Sequence, residues 1–413
     1  MGRLISPLIF GANMPDMDSD RDLYSLELKE LLRESLARHV QGNFSDHSSD
    51  PYFYTRESYA MATRIENLPL YPQEIPELVL SWANLDTNKA RNKEDILVLD
   101  LETTGLGRSG TIAIMIGLGY YLGNEFYVEQ IFLPDPDAEE HSLDRLRELV
   151  ESHSLLITFN GKTFDVPVLE SRLLYHQIWL NLRQMEHLDL LHLARRLWKR
   201  KLPSCALETI EYYILGHIRD QELEIEGADI PQSYFHYLST GEGEMIKRVF
   251  IHNHHDILHT AALFTLICDS CAYPPPRGMD IRIDYHALAK LYHSQGEIDA
   301  ARHILIDLLA QGEIRSEVLY DLGMIYKKEG AAEQALDCFA IGSDLQDPAS
   351  MLEYAKALEK KKDYAKALRV SERLLALQKG RYLQNHKAIA ALEHRLQRLQ
   401  RKCESSVSAQ NKA

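Results

Sequence analysis

The sequence predicts an α/β domain with a mixed central sheet and flanking helices, followed by a separate α-helical repeat domain. Three observations carry that prediction. Residues 96–101, Ile-Leu-Val-Leu-Asp-Leu, form an almost unbroken apolar run of the kind found in strands buried on both faces. Further β-rich and helical segments alternate from there to residue 271. Beyond a proline-rich stretch at 272–282, residues recur with a period of 34.

At 413 residues the chain is long enough for two or three units, and 45% hydrophobic content suffices for real cores. No apolar run approaches the roughly 18 residues that a bilayer requires, so no membrane association is expected. The short apolar start is followed by Asp16, Asp18, Asp20 and Asp22 without a small-residue cleavage site, which argues against a secretory signal. Gly2 and Ser6 fit a short myristoylation pattern, too degenerate to carry weight. The cysteines at 205, 268, 271, 338 and 403 form no spaced framework, which suits a reducing compartment and a cytoplasmic protein. Cys268 and Cys271 make a lone C-x-x-C that reads as two buried residues late in a helix. The net charge of −15 is unevenly spread: residues 353–402 hold 14 Lys and Arg against 5 Asp and Glu, and 1–352 carry −24. An acidic body argues against a sequence-independent DNA coat protein, but not against a carboxylate site loaded with divalent ions.

Along the chain, residues 1–92 read as a partly helical N-terminal extension of unassigned role, with helical periodicity at 23–40 and an aromatic-rich stretch at 52–71. The α/β domain is expected over 93–271. Strands are predicted at 96–101, 111–121 and 126–133, with Gly123-Asn124 as a hairpin turn. A helix at 142–150 takes Ser142 as its cap, a short strand spans 154–159, and helices follow at 166–175, 188–199, 206–215 and 245–268. Three prolines at 274–276 mark the linker of 272–282. In 283–402, Leu288 and Leu322, Tyr292 and Tyr326, Gly296 and Gly330, and Ala301 and Ala335 are each 34 residues apart. That period is that of a tetratricopeptide-like helix-turn-helix repeat. A shorter third unit follows around Tyr354, Leu358, Asp363, Ala367 and Leu368, then a basic capping helix near 385–401 and a disordered tail at 403–413.

Four acids stand out. Asp100 and Glu102 are two apart on a strand and so share a face. A buried strand has no structural use for two like charges there, unless a cation joins them. Asp165 follows an Asn160-Gly161 turn and Asp256 sits among His252-Asn253-His254-His255. Taken alone, Asp165 reads equally as a helix cap and Asp256 as a complement to a helix dipole.

The run from Leu97 to Leu106 and the run from Phe159 to Asp165 resemble the first two motifs of the DEDD exonucleases of the DnaQ-like, ribonuclease-H-like fold. From about 96 to 266 the chain resembles the bacterial YprB-type branch of that group, which shares the 187–191 and 207–211 segments and a His-Asn-x-x-Asp third motif. The resemblance implies that Asp100, Glu102, Asp165 and Asp256 are the metal-binding, catalytic acids. It implies that Asp100 bridges two ions, Glu102 and Asp256 complete one site, and Asp165 acts largely through water. The general base of the histidine subclass falls on Ile251, and that of the tyrosine subclass on His252. His252 shares a helix face with Asp256 and is a candidate to orient or deprotonate the attacking water. The alternative is that His252 and Asn253 hold a helix N-terminus while His254 and His255 are solvated.

Oxygen ligands suit two divalent cations, Mg²⁺ or Mn²⁺, about 3.5–4 Å apart. Thr103, Thr104, Asn160, Lys162, Arg195 and Arg196 are the candidate substrate contacts, the last two within a basic run that continues to Lys201. The expected activity is metal-dependent 3′→5′ exonucleolysis of a single-stranded DNA or RNA end, the repeats recruiting a protein partner. A non-catalytic scaffold and a structure-selective endonuclease are the alternatives.

Overall fold

The computed structural model describes residues 18–46, 49–105, 110–220, 222–272, 282–380 and 385–410. The expectations resting on Gly2 and Ser6, on Leu106 and on the prolines of the linker lie outside these residues. The chain divides into two compact units, residues 1–195 with 202–270, and residues 196–201 with 271–413.

In the first unit, α1 (Asp18–His39) leads into β1 (Asn43–Phe44) and β2 (Phe53–Ala60), a small ribbon of β3 (Arg64–Ile65) and β4 (Leu68–Pro69), and α2 (Glu77–Trp82). Then come β5 (Ile96–Thr103), β6 (Ala113–Leu122), β7 (Glu125–Phe132), α3 (Glu139–Ser152), β8 (Leu155–Thr158), α4 (Asp165–Tyr175), β9 (Glu186–Asp189) and α5 (Leu190–Trp198). Helices α6 (Leu207–Ile210), α7 (Ile230–Thr240) and α8 (Glu244–Cys271) complete it. Seven strands form one sheet in the order β1-β2-β7-β6-β5-β8-β9. The pairs from β1 to β5 are antiparallel, and β8 and β9 continue parallel to β5. This is the mixed sheet with flanking helices that the sequence pattern predicts. Gly123, with φ of 60°, makes the tight β6–β7 turn.

The sheet is covered on both faces. Leu97, Leu99 and Leu101 of β5 pack with Leu143, Leu146 and Leu149 of α3 and with Val168 and Leu169 of α4. On the other face, Met115 and Phe132 pack with Leu32 and Leu36 of α1, Tyr234 and Tyr237 of α7, and Val249 and Phe250 of α8. Residues 18–92 are therefore not a separate extension. Strand β2 pairs along all of β7, from Phe53 with Phe132 to Ala60 with Glu125, and α1 contributes to the core.

Two local readings change. Helix α3 begins at Glu139, behind a short turn whose Asp135 side chain accepts from the Asp137 amide, so Ser142 lies inside the helix and not at its cap. The 206–215 segment is a short helix that widens into a π turn over Glu211–Leu215, ended by Gly216 with φ of 83°.

The second unit is helical throughout its described residues. Three antiparallel pairs follow one another: α9 (Tyr285–Ser294) with α10 (Ile298–Ala310), α11 (Ser316–Glu329) with α12 (Ala332–Asp344), and α13 (Pro348–Lys360) with α14 (Tyr364–Lys379). The long α15 (His386–Gln410) closes the series. The recurrent residues take equivalent places. Ala301, Ala335 and Ala367 are buried on the second helix of each pair, and Gly296 and Gly330 turn the chain with φ of 90° and 81°. Lys362, with φ of 64°, does the same in the third pair. Helix α15 runs through Gln410, so residues 403–410 are helical where a disordered tail was expected. Its basic face is partly neutralised, because Arg395, Arg398 and Lys402 all donate to Glu359.

Candidate metal centre

Because Leu97, Leu99 and Leu101 face α3 and α4, Asp100 and Glu102 must face the opposite side, toward α8. Strand β5 ends in a register shift between Glu102 and Thr103, a bulge of the kind that re-aims side chains beside a site. Asn253 of α8 donates to Asp100 Oδ2 at 3.0 Å and in turn accepts from Gln130 Nε2 at 3.1 Å. That reach depends on Gly117, the residue paired with Asp100 across the ladder. A Cβ at 117 would lie 2.3 Å from the Asn253 amide oxygen.

Asp256 lies in the middle of the 28-residue α8, far from either end. It therefore does not complement the helix dipole, and His252 and Asn253 do not hold a helix terminus. Arg219 Nη2 donates to Asp256 and, at 2.8 Å, to Glu211; its Nε donates to Glu211 at 2.6 Å and its Nη1 to His252 Nδ1 at 2.9 Å. An arginine is always a donor, so Nδ1 of His252 accepts and Nε2 carries the ring proton. That N–H faces Asp256 Oδ2 at 3.5 Å and Glu102 Oε1 at 3.8 Å. His254 and His255 are not simply solvated, since His254 bonds the Tyr59 hydroxyl and His255 bonds Glu224.

Asp165 is the first residue of α4 and not its cap; Phe164 holds the cap position without a side-chain bond. Its carboxylate accepts from its own amide and from that of Leu101, which ties it to β5. The loop before it is shaped by Asp189. That buried carboxylate accepts from the amides of Asn160, Lys162 and Leu191 at 2.8–3.1 Å, while Asn160 adopts φ of 72°.

Asp100 and Glu102 sense the other acids. Burial pushes Asp100 well above the usual carboxylate range, and the charges of Asp256, Glu102 and Asp165 push it further. Glu102 is raised by burial and then by Asp256 and Asp165. Burial lifts Asp165 to about 7 and also raises Asp256, where His252 and Arg219 oppose the shift. Such a group is at ease only if protonated or if cations enter, and oxygen donors suit hard divalent ions. Glu102, His252 and Asp256 each offer a ligand atom within 4.8 Å of the others. While Arg219 holds Nδ1, however, His252 presents a donor there and not a lone pair.

The remaining expected residues divide. Thr103 and Thr104 shape the turn after β5, Thr103 donating to the Gly105 carbonyl and the Thr104 hydroxyl accepting from the Ile112 amide. Lys162 is exposed beside Asp165 on the Asp189-held loop. Arg195 and Arg196 are exposed on α5, and none of the hydrogen bonds described around the four acids involves them. Arg200 and Lys201, from the same basic run, bond His286 and the Ile283 carbonyl within the second unit. Sequence reasoning missed Arg219, Asn253, Gln130, Gly117 and the loop-holding role of Asp189. Asn253 had a signal in its place between His252 and Asp256 on one helix, and Asp189 in the 187–191 segment of the resemblance.

Residues 97–268 match the RNase_H superfamily, and that span contains all four acids. The chain is also 31% identical over 348 residues to the uncharacterized protein YprB of Bacillus subtilis, covering 80% of this chain and 82% of the relative. The chain belongs to the YprB family. Its RNase H-like region suggests a hydrolase acting on nucleic acid, a class that typically uses divalent metal ions. Among the described residues, no helix is long and apolar enough to cross a membrane.

Proposed function

We propose that this protein is a metal-dependent nuclease of the DEDD type, a 3′→5′ exonuclease on single-stranded ends, with Asp100, Glu102, Asp165 and Asp256 as its acids. The observation that carries this reading is that Asp100 and Glu102 share one face of a central strand, where burial raises both carboxyls and the charges of Asp256 and Asp165 raise them further. Two Mg²⁺ or Mn²⁺ ions would supply an activated water and a stabilised leaving oxygen. Asp100, Glu102 and Asp256 would hold them, with Asp165 acting largely through water. Asn253 positions Asp100, and Arg219 positions both Asp256 and His252. In this arrangement His252 donates from Nε2, which suits orienting an oxygen better than removing its proton. Thr103, Thr104, Asn160 and Lys162 line the approach, and Lys162 is the cation placed to meet a phosphate. The paired helices after residue 283 would serve as a tetratricopeptide-like platform for a protein partner in the cytoplasm.

The test uses the purified chain with end-labelled DNA and RNA, in Mg²⁺, Mn²⁺ or EDTA, beside an Asp100→Asn/Glu102→Gln variant. Metal-dependent shortening from the 3′ end that the variant lacks is the expected result. Cleavage of circular or 3′-blocked substrates would replace the exonuclease with an endonuclease. Inactivity on every substrate would leave a non-catalytic scaffold.

A further inference from the structure

Helix α8 carries a second set of metal-ligating side chains that the acid site does not use. His255 and His259 project beside His217, which follows the π turn. The His217 ring centre lies 5.6 Å from that of His255 and 4.3 Å from that of His259. Three carboxylates surround these rings. Glu66 is 2.9 Å from His217 Nδ1, Glu211 is 2.8 Å from His259 Nδ1, and Glu224 is 2.8 Å from His255 Nδ1.

The first of those contacts leaves the far ring nitrogen of His217, Nε2, oriented and available. Metal-bound histidines are held in this way, one nitrogen fixed by a carboxylate and the other facing the ion. His217 Nε2 is buried without a hydrogen-bond partner and lies 4.0 Å from Glu224 Oε1. Glu224 is itself 96% buried by side-chain area, and its Oε2 also has no hydrogen-bond partner. Leaving His217 Nε2 unsatisfied is costly, and a cation between it and Glu224 Oε1 would relieve it, while Oε2 faces Arg219 Nη1 at 3.5 Å. The ligand atoms of His217, Glu224 and His255 all lie within 4.8 Å of one another. A tetrahedral ion with bonds of roughly 2.0–2.1 Å sets its ligands about 3.3 Å apart, between the observed 2.8 and 4.0 Å. The His255 side chain is 33% exposed and offers an entry path.

We propose that His217, His255 and Glu224 bind one zinc-class transition-metal ion, at a site distinct from the four acids. Imidazole donors suit such an ion, whereas the all-carboxylate set suits Mg²⁺ or Mn²⁺. Glu66 is the residue that orients His217. The site also has a structural consequence: Glu224 Oε2 is 3.5 Å from Arg219 Nη1, and Arg219 is the residue that holds Asp256. An ion there would stiffen the anchor of the acid site without touching substrate.

The experiment measures bound metal on the full chain, free of any histidine tag, after chelator stripping and Zn²⁺ reloading. One equivalent of Zn²⁺ is expected in the wild type and in Asp100→Asn/Glu102→Gln, and none in His217→Gln or His255→Gln. Glu66→Gln should weaken Zn²⁺ binding by about 10–100-fold. Co²⁺ loading should give visible absorption that His255→Gln lacks while keeping the wild-type circular dichroism. Absence of Zn²⁺ from the reloaded wild type would overturn the proposal. So would an undiminished equivalent in folded His255→Gln, or its loss from the acid-site variant. Metal content is read without nucleic acid, so neither failure bears on the nuclease reading.

Discussion

Two groups of buried carboxylates, on the central sheet and the helices that cover it, are treated in opposite ways. Glu129 of β7 is 1% exposed, yet its pKa is lowered. Burial works against that, but Arg145 and Arg56 donate to it at 2.6–3.1 Å and the Tyr120 hydroxyl at 2.8 Å. Glu139 of α3 is also met by cationic side chains, with Arg172 at 2.5 and 2.7 Å and His176 at 2.8 Å. Asp100, Glu102 and Asp165 have no such cations among their described partners, and Asp256 shares a single arginine with Glu211. A carboxylate that serves the fold brings its counter-charge from its own chain. One that serves chemistry leaves that place for something from outside.

The sharpest way to break this contrast is to neutralise Asp100. Asp100→Asn should lower the metal-dependent cleavage rate by about 10³-fold, the scale of losing one electrostatic group in an active site. In EDTA it should leave the thermal midpoint unchanged or raised, because one repelling charge is gone. Glu129→Ala should do the reverse, costing about 3–5 kcal/mol by chemical denaturation through stranding of Arg56 and Arg145, with activity per folded molecule retained. If both substitutions destabilised equally, the distinction would be lost.

Proton linkage separates the groups next. Asp165 has a folded pKa of about 7 against an ordinary 3.8, so the stability its bound proton contributes is full below 3.8 and is lost as pH rises toward 7. Glu129 is lowered, so its contribution is present above its ordinary 4.5 and lost as pH falls through its folded value. Urea midpoints of the metal-free protein should rise from pH 8 to pH 5 and then fall below pH 4, and Mg²⁺ should flatten only the upper limb. The smallest effect is expected at Gly117. Gly117→Ala should cost about 1–3 kcal/mol by overpacking and slow cleavage by displacing Asn253 from Asp100, without changing the Glu129 limb.

How much of this could be read from the sequence follows from the range of each interaction. The run at 96–101 announced β5 because burial on both faces writes itself into consecutive residues, and the two-residue spacing of Asp100 and Glu102 fixed their shared face. The helical period was legible because Ala301 and Ala335 fill one recurrent gap. The membership of 18–92 in the sheet was not, since the pairing of β2 with β7 joins residues about seventy positions apart and leaves no local period. Arg219 was invisible for the same reason: it lies in an irregular segment, and its value comes from Glu211, His252 and Asp256 meeting it.

The pairing of β2 along β7 sets a lower limit on any working fragment. A piece trimmed to 97–268 would expose eight residues of β7 backbone, an adhesive rim ready to recruit strands from other molecules. It would also take Arg56 from Glu129 and Leu32 and Leu36 from the interior. The stretch that matches the RNase_H superfamily is thus shorter than the stretch that packs as one core, and expression of the former should yield insoluble material.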